Sequence, residues 1–403
     1  MVERKPLLLV IQVATVVGFA IMGDSLLYGI LPLAAASLAI SPEGVGILLS
    51  VNRLVRLVSN TWSSSLFARF GPRGPFLAAA GLGTLTTLLY GLNWGFITFV
   101  LARLGWGIAW SSLRQGGYQA VWTGGPARTG RLMGLLWGII RMGSAMSVLI
   151  GGYLFDHYGY RSTVFAIVGL TALALPIALT IRWPAAAHVQ AAAKPSGHVG
   201  FIEGWRAAMR HPLQREVVLV GALKSFFDAI LVATAALYLA DHIQAEDGGA
   251  LTALGLGVGV VAGAVLATRW LSDLAVGPLL GFAADRFGQL RVAVFLLSVV
   301  LTSLTLSLFL GGLPALAPFL LVLVLSTGVN VTLDAVANGV ALRTASSPQH
   351  FVGVYATLSD GGSALGPLLA LPLVSAVGFA PVYLPAGAFL LAVVIHLKMR
   401  GDW

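Results

Sequence analysis

The chain has 403 residues, of which 58% are hydrophobic and 10% charged, with 49 glycines, a mean hydropathy of +0.90 and a formal net charge of +9. That is more apolar surface than a water-soluble core can hide, so composition excludes an ordinary soluble globule and points to the membrane. Cysteine is absent, which excludes disulfides, thiolate nucleophiles and cysteine-based metal sites.

A bilayer core about 30 Å thick needs about 20 apolar residues per helix. In chain order, the apolar stretches predict spans over 7–38, 43–67, 75–95, 96–122, 132–155 and 162–181, then 216–240, 251–283, 291–311, 314–342, 351–377 and 380–397. The first stretch follows Arg4 and Lys5 but is too long for a signal peptide and contains Asp24, so it reads as a retained span. The expectation is an all-α membrane protein with a six-helix bundle over 1–181, a linker over 182–215 and a second six-helix bundle over 216–403. The linker opens with "AAAHVQAAAKPSGHVG", rich in small residues. Its second part sets Phe201, Ile202, Trp205 and Met209 against Arg206 and Arg210, the pattern of a short helix lying on the membrane surface.

The basic residues explain the high isoelectric point without nucleic acid. Arg69, Arg73, Arg128, Arg131, Arg182, Arg206, Arg210, Arg286, Arg291, Arg343, Lys398 and Arg400 all fall at alternate loops and ends, with Arg161 alone on the opposite side. Basic loops stay cytoplasmic during insertion, which predicts that both termini are cytoplasmic; the expected location is the cell inner (plasma) membrane.

At the end of the eighth span "GFAADRFGQLR" supplies Gly281, Asp285, Arg286, Gly288 and Arg291. A weaker copy after the second span keeps Arg69 and Gly71 but has Ser64 and Ala68 where the glycine and aspartate stand in the later one. Gly281 would permit close helix approach, and Asp285 could pair with Arg286 or Arg291, or cap the next helix. Twelve spans, a central linker and a motif at matching places in both halves resemble the major facilitator superfamily (MFS). The resemblance implies two six-helix bundles that rock about a central cavity, with repeats related by pseudo-twofold symmetry.

Further repeats accompany the motif. "GSAM" at 143–146 matches "GSAL" at 362–365, where Gly366 and Pro367 follow; the resemblance associates that pattern with helix bending and export. The fifth span departs from it at Ser147 and Val148. "DSLL" at 24–27 mirrors "DAIL" at 228–231, placing one carboxylate in each half. A charge inside a span is costly unless paired or facing water, so such residues are site candidates. In the resembled fold the first, fourth, seventh and tenth spans line the cavity, which nominates Trp110, Arg114, Tyr118, Lys224, Asn330, Asp334 and Asn338 for substrate. Asn330, Asp334 and Asn338 share a helix face at i, i+4, i+8. Arg56 with Asp360 and Arg141 with Asp273 are the expected gating pairs, together with Gly281, Asp285, Arg286 and Arg291.

All seven histidines lie in loops or near span ends, so a proton would have to ride on a carboxylate, and Asp24 and Asp228 are the candidates. There is no H-E-x-x-H, G-x-S-x-G or G-x-x-x-x-G-K, so nothing supports an enzyme, a metal site or a cofactor. The expected activity is secondary transport by alternating access, with proton-coupled export of a small organic molecule ahead of proton symport of an organic anion. A non-transporting sensor or lipid scramblase is the reading from another class. The expected partners are a small-molecule substrate, protons and membrane lipid, with the protein itself a monomer.

Overall fold

The computed structural model describes residues 4–125, 128–184, 205–244, 256–345 and 348–400. No strand occurs among them, and the chain is all-α. The helices are α1 (Arg4–Ala20), α2 (Met22–Ala34), α3 (Pro42–Phe70), α4 (Arg73–Leu92), α5 (Phe96–Trp122), α6 (Thr129–Ala172) and α7 (Ala174–Thr180). After the linker come α8 (Pro212–Leu239), α9 (Val258–Phe287), α10 (Gln289–Phe309), α11 (Leu316–Thr344), α12 (Pro348–Val377) and α13 (Ala380–Met399). Most of the linker lies outside the described residues, including Phe201 and Ile202; residues 205–210 are helical.

Ten helices among the described residues are long and apolar enough to cross a membrane. Twelve spans fit this chain for two local reasons. One candidate, Arg131–Thr180, is interrupted at Gly159, whose φ of 74° breaks α6 where the fifth span was expected to end. The second span is α3, long enough at 29 residues but lowered in hydropathy by Asn52, Arg53, Arg56, Ser59 and Asn60. The first span is α1 and α2 in succession, and the Ile21 N–H between them still donates to the Val17 carbonyl at 2.9 Å.

Local chemistry sets the helix ends. Ser41 accepts from the Gly44 N–H at 3.2 Å with Pro42 in the first turn, which supplies one of the missing donors' partners at the start of α3. The motif glycine does the same job in both copies: Gly71 (φ 71°) and Gly288 (φ 93°) turn the chain between successive helices in the left-handed region that a side chain resists. The same interval separates another positive-φ pair, Gly95 and Gly312, so the duplication is written in the backbone as well as in the motif.

The chain divides into two compact units. Unit 1 comprises Met1–Gly44, Val51–Pro195 and Gly259–Trp270, and unit 2 comprises Val45–Ser50, Ser196–Val258 and Leu271–Trp403. In unit 1, Val10, Val13 and Val17 of α1 recur at helical spacing and pack in one apolar core with Trp106 and Leu113 of α5 and Leu136 and Ile140 of α6. A Cβ at Gly143 would strike the Gly18 carbonyl, so glycine there lets α1 and α6 touch backbone to backbone. In unit 2, Gly362 and Gly366 face the backbone of α8 at Ala222 and Phe226, the latter carbonyl 2.9 Å from where a Gly366 Cβ would sit. The expected helix-bending signature is thus also a close-packing seam between α8 and α12, with Pro367 and Pro372 inside α12. Gly281 differs from expectation: a Cβ there would lie 3.7 Å from Val331, an ordinary contact, so no tight approach requires it.

Candidate functional site

Each unit holds one intramembrane acid–base cluster. In unit 1, α2 presents Asp24 in its first turn and α5 presents Arg103, whose guanidinium Nη1 donates to Asp24 Oδ1. Asn52 of α3 donates to the same oxygen at 3.2 Å, and Tyr90 of α4 lies against the guanidinium. Four spans therefore meet on one ion pair. Its side chains are 0% exposed for Arg103 and 14% for Asp24. Nearby hydroxyls join α2 to α6: Ser25 donates to Ser144 at 2.9 Å and Ser147 to the Met22 carbonyl at 2.5 Å. A second polar seam joins α3 to α5, where Ser111 meets Ser59 and Asn60 at 2.7 Å and Ser63 donates to Ser112 at 3.1 Å.

The substrate candidates of unit 1 are divided by their surroundings. Trp110 is buried in the apolar core between Trp106 and Trp137, with ring centroids 6.0 and 6.3 Å away, and Tyr118 packs beside Trp122 at 6.4 Å. Arg114 is half-buried and forms no ion pair among the described residues. Arg141 stacks over Trp137 with its guanidinium carbon 5.8 Å from the ring centre.

In unit 2, α8 carries Lys224 and Asp228 one turn apart, α11 carries Ser326, Asn330, Asp334 and Asn338, and α12 carries Tyr355. Lys224 Nζ donates to Asp334 Oδ1 at 2.5 Å and to the Asn330 carbonyl at 3.4 Å. The Tyr355 hydroxyl donates to the same Asp334 oxygen at 2.8 Å, and its ring centre lies 5.7 Å from Lys224 Nζ. Gly221 positions that ring, because a Cβ there would collide with it. Exposure is uneven across the pair: Lys224 is 6% exposed and Asp334 48%. A charged amine is thus sunk in the helix bundle while its counter-ion faces open space. Below it a cavity of about 10 Å³ lies between Lys224, Asp228, Ser326 and Asn330, and Ser326 donates to Asp228 at 3.3 Å. That volume is near the minimum that admits one water. Asn338 turns back to its own helix, donating to the Asp334 carbonyl at 2.9 Å.

Of the expected gating residues, Arg56 and Arg141 belong to unit 1 and Asp273 and Asp360 to unit 2. Asp273 accepts from Thr327 at 3.0 Å. Asp285 and Arg286 are exposed at the end of α9, and among the described residues Asp285 pairs with neither Arg286 nor Arg291 and caps no helix.

Arg103, Asn52 and Tyr355 are not among the residues that the sequence nominates for the site. Asn52 had a signal, being an amide inside a span one turn before Arg56; Tyr355 had none, since a tyrosine near a span end is ordinary at a membrane interface.

The profile of the Major Facilitator Superfamily matches residues 13–276. No curated protein is significantly similar in sequence. Among solved structures, the nucleoside transporter NupG superposes with a TM-score of 0.80 at 11% identity, covering 98% of this chain and 99% of its own. A POT family transporter in complex with 5-aminolevulinic acid gives 0.74 at 12%, covering 97% and 95%. The E. coli fucose:proton symporter FucP gives 0.63 at 14%, covering 98% and 99%. Identities this low establish a shared fold, and the profile match over most of the chain establishes the family: the chain belongs to the Major Facilitator Superfamily.

Proposed function

We propose that the protein is a proton-coupled secondary transporter that moves a small organic anion together with a proton by alternating access. The observation that carries this reading is the uneven pair in unit 2, buried Lys224 held by half-exposed Asp334 and Tyr355. Protonating Asp334 removes the countercharge of a buried ammonium, which then needs another anion. A carboxylate or phosphate on the substrate supplies it, so proton and anion enter together. Arg114, half-buried on α5, is kept as a proposed substrate cation. Asn330 and Asn338 lie one turn to either side of Asp334 on α11 and are kept as polar contacts for substrate, while Trp110 and Tyr118, packed in unit 1, act there as supports.

Asp24 fits proton transfer less well than the sequence suggested. Neutralising it would strand the fully buried Arg103, so we assign Asp24 to structure and keep Asp228 and Asp334 as the coupling carboxylates. Proton-coupled export remains the second reading, favoured by the Gly362, Gly366 and Pro367 pattern. Arg56 with Asp360 and Arg141 with Asp273 serve as gating pairs that form in one state and part in the other. The basic loops support the reading that both termini are cytoplasmic, in a cell inner membrane.

Purified protein in liposomes tests the reading with labelled organic acids, nucleosides and hexoses under an imposed pH gradient. Accumulation of an anionic solute that follows the proton gradient and fails in Lys224→Gln supports it. Efflux against that gradient favours export, and lipid scrambling without solute flux would refute transport.

A further inference from the structure

The motif at the end of the eighth span borders a feature that the transport reading leaves unused. Within unit 2 an open basin of about 840 Å³ lies at the ends of α9, α10, α11 and α13, lined by Arg286, Arg291, Arg343 and Lys398 with Asp285 as its one acid. All four cations are exposed, and among the described residues none is ion-paired. Four like charges converging on one hollow repel each other, so the basin is an electrostatic deficit that an anion would relieve.

Three details give the hollow the character of a phosphate site. The first turn of α10, Gln289 to Arg291, forms part of its wall; this 21-residue helix has no side-chain cap and no acid in its first turn, so its N–H groups and positive dipole end remain available. Arg343 Nε donates to the Gly339 carbonyl at 3.2 Å, which fixes the guanidinium against its own helix and leaves the two Nη groups for a ligand. Gly339 keeps the floor open: a Cβ there would lie 3.6 Å from Arg343 Nη2 and 4.0 Å from Gln289 Oε1.

The rim identifies the source of the phosphate. Phe287, 59% exposed, lines the basin, and Leu342 and Met399, adjacent in sequence to Arg343 and Lys398, are 77% and 72% exposed. Cations facing a hollow with large apolar side chains next to them suit a ligand with an anionic head and hydrocarbon tails; basic pockets between helices at the membrane surface bind such headgroups. We propose that this basin is a phosphate-binding site that takes the phosphodiester of an anionic phospholipid from the surrounding leaflet. Simple topology enforcement would place cations at the same helix ends but would give no saturable site.

The test uses the full-length protein, delipidated in detergent and titrated separately with phosphatidylglycerol, phosphatidylcholine and inorganic phosphate, with retained lipid counted by native mass spectrometry and phosphate by equilibrium dialysis. Saturable retention of phosphatidylglycerol over phosphatidylcholine is expected, falling about tenfold or more in Arg291→Gln with Lys398→Gln, since each charge-assisted contact contributes on that scale. The same number of cations removed from unit 1, Arg73→Gln with Arg131→Gln, should leave retention unchanged. Gly339→Leu fills the basin without altering charge and should lower retention as well. Equal or better binding of inorganic phosphate, lost in the same variants, would keep the site and assign its ligand to solution. Retention of both probes unchanged in Arg291→Gln with Lys398→Gln and in Gly339→Leu would overturn the proposal.

Discussion

The two acid–base clusters use the same ingredients to opposite ends. In unit 1 the acid sits on the first span and the base on the fourth, both enclosed, with Asn52 and Tyr90 completing the cage. In unit 2 the base sits on the seventh span, almost as deeply buried, but its acid on the tenth is half exposed. A sealed pair can only hold helices together, because any change in one partner leaves the other charged in a dry place. A pair with one open partner can exchange that partner for something from solution. The two pairs differ in burial, and on the proposed reading the sealed one is scaffold and the open one belongs to the site.

The comparison breaks most severely at Arg103. Replacing it with Met leaves Asp24 buried without its cation, a loss of about 3 to 5 kcal/mol in soluble proteins. The expected outcome is a large fall in the thermal midpoint or loss of monodisperse protein on gel filtration. Arg103→Met with Asp24→Asn removes both charges and should recover much of that stability, since apolar replacement of a whole buried pair is often neutral.

Asp334→Asn should act chiefly on transport, with a smaller loss of stability than at Arg103 because the half-exposed side of the pair admits water or an anion. Gradient-driven accumulation is expected to fall by about tenfold or more, equivalent to at least about 1.4 kcal/mol, while solute exchange at equal pH survives. Tyr355→Phe removes one hydrogen bond to the same oxygen, with an expected effect of about 1 kcal/mol, read as a several-fold change in the pH dependence of transport. Gly221→Ala should resemble it, because the new methyl displaces the Tyr355 ring. The smallest effect belongs to the α3–α5 seam. Ser112→Ala removes one hydroxyl contact and should shift the thermal midpoint by the equivalent of about 0.6 kcal/mol, the average for polar contacts between membrane helices.

The helices were legible because spanning a bilayer imposes a length and a composition, and the repeat was legible because "GFAADRFGQLR" keeps enough of its pattern beside "SLFARFGPR". The span ends were less so. Gly159 stops one helix and starts another through its φ, which hydropathy does not encode. Site partners were hardest. Spacing along one helix placed Asn330, Asp334 and Asn338 on a face, but which acid meets which base depends on packing between helices. The sequence nominates Asp24 and Asp228 as proton carriers and Arg114 and Lys224 for substrate without assigning them ionic partners, whereas the geometry joins Asp24 to Arg103 and Lys224 to Asp334. Close approach misled in the same way: Gly281 stands in the motif yet has room around it, while Gly221, Gly362 and Gly366 carry the tight contacts.

The most direct test of the division between scaffold and site needs no substrate. Infrared difference spectra of the reconstituted protein, recorded across a pH titration, follow the carbonyl stretch of protonated carboxyl groups. The account predicts a titrating band that disappears in Asp334→Asn and persists in Arg103→Met with Asp24→Asn. A band that persists in Asp334→Asn and disappears in the unit 1 double variant would contradict it, and would return the exchangeable proton to the sealed pair.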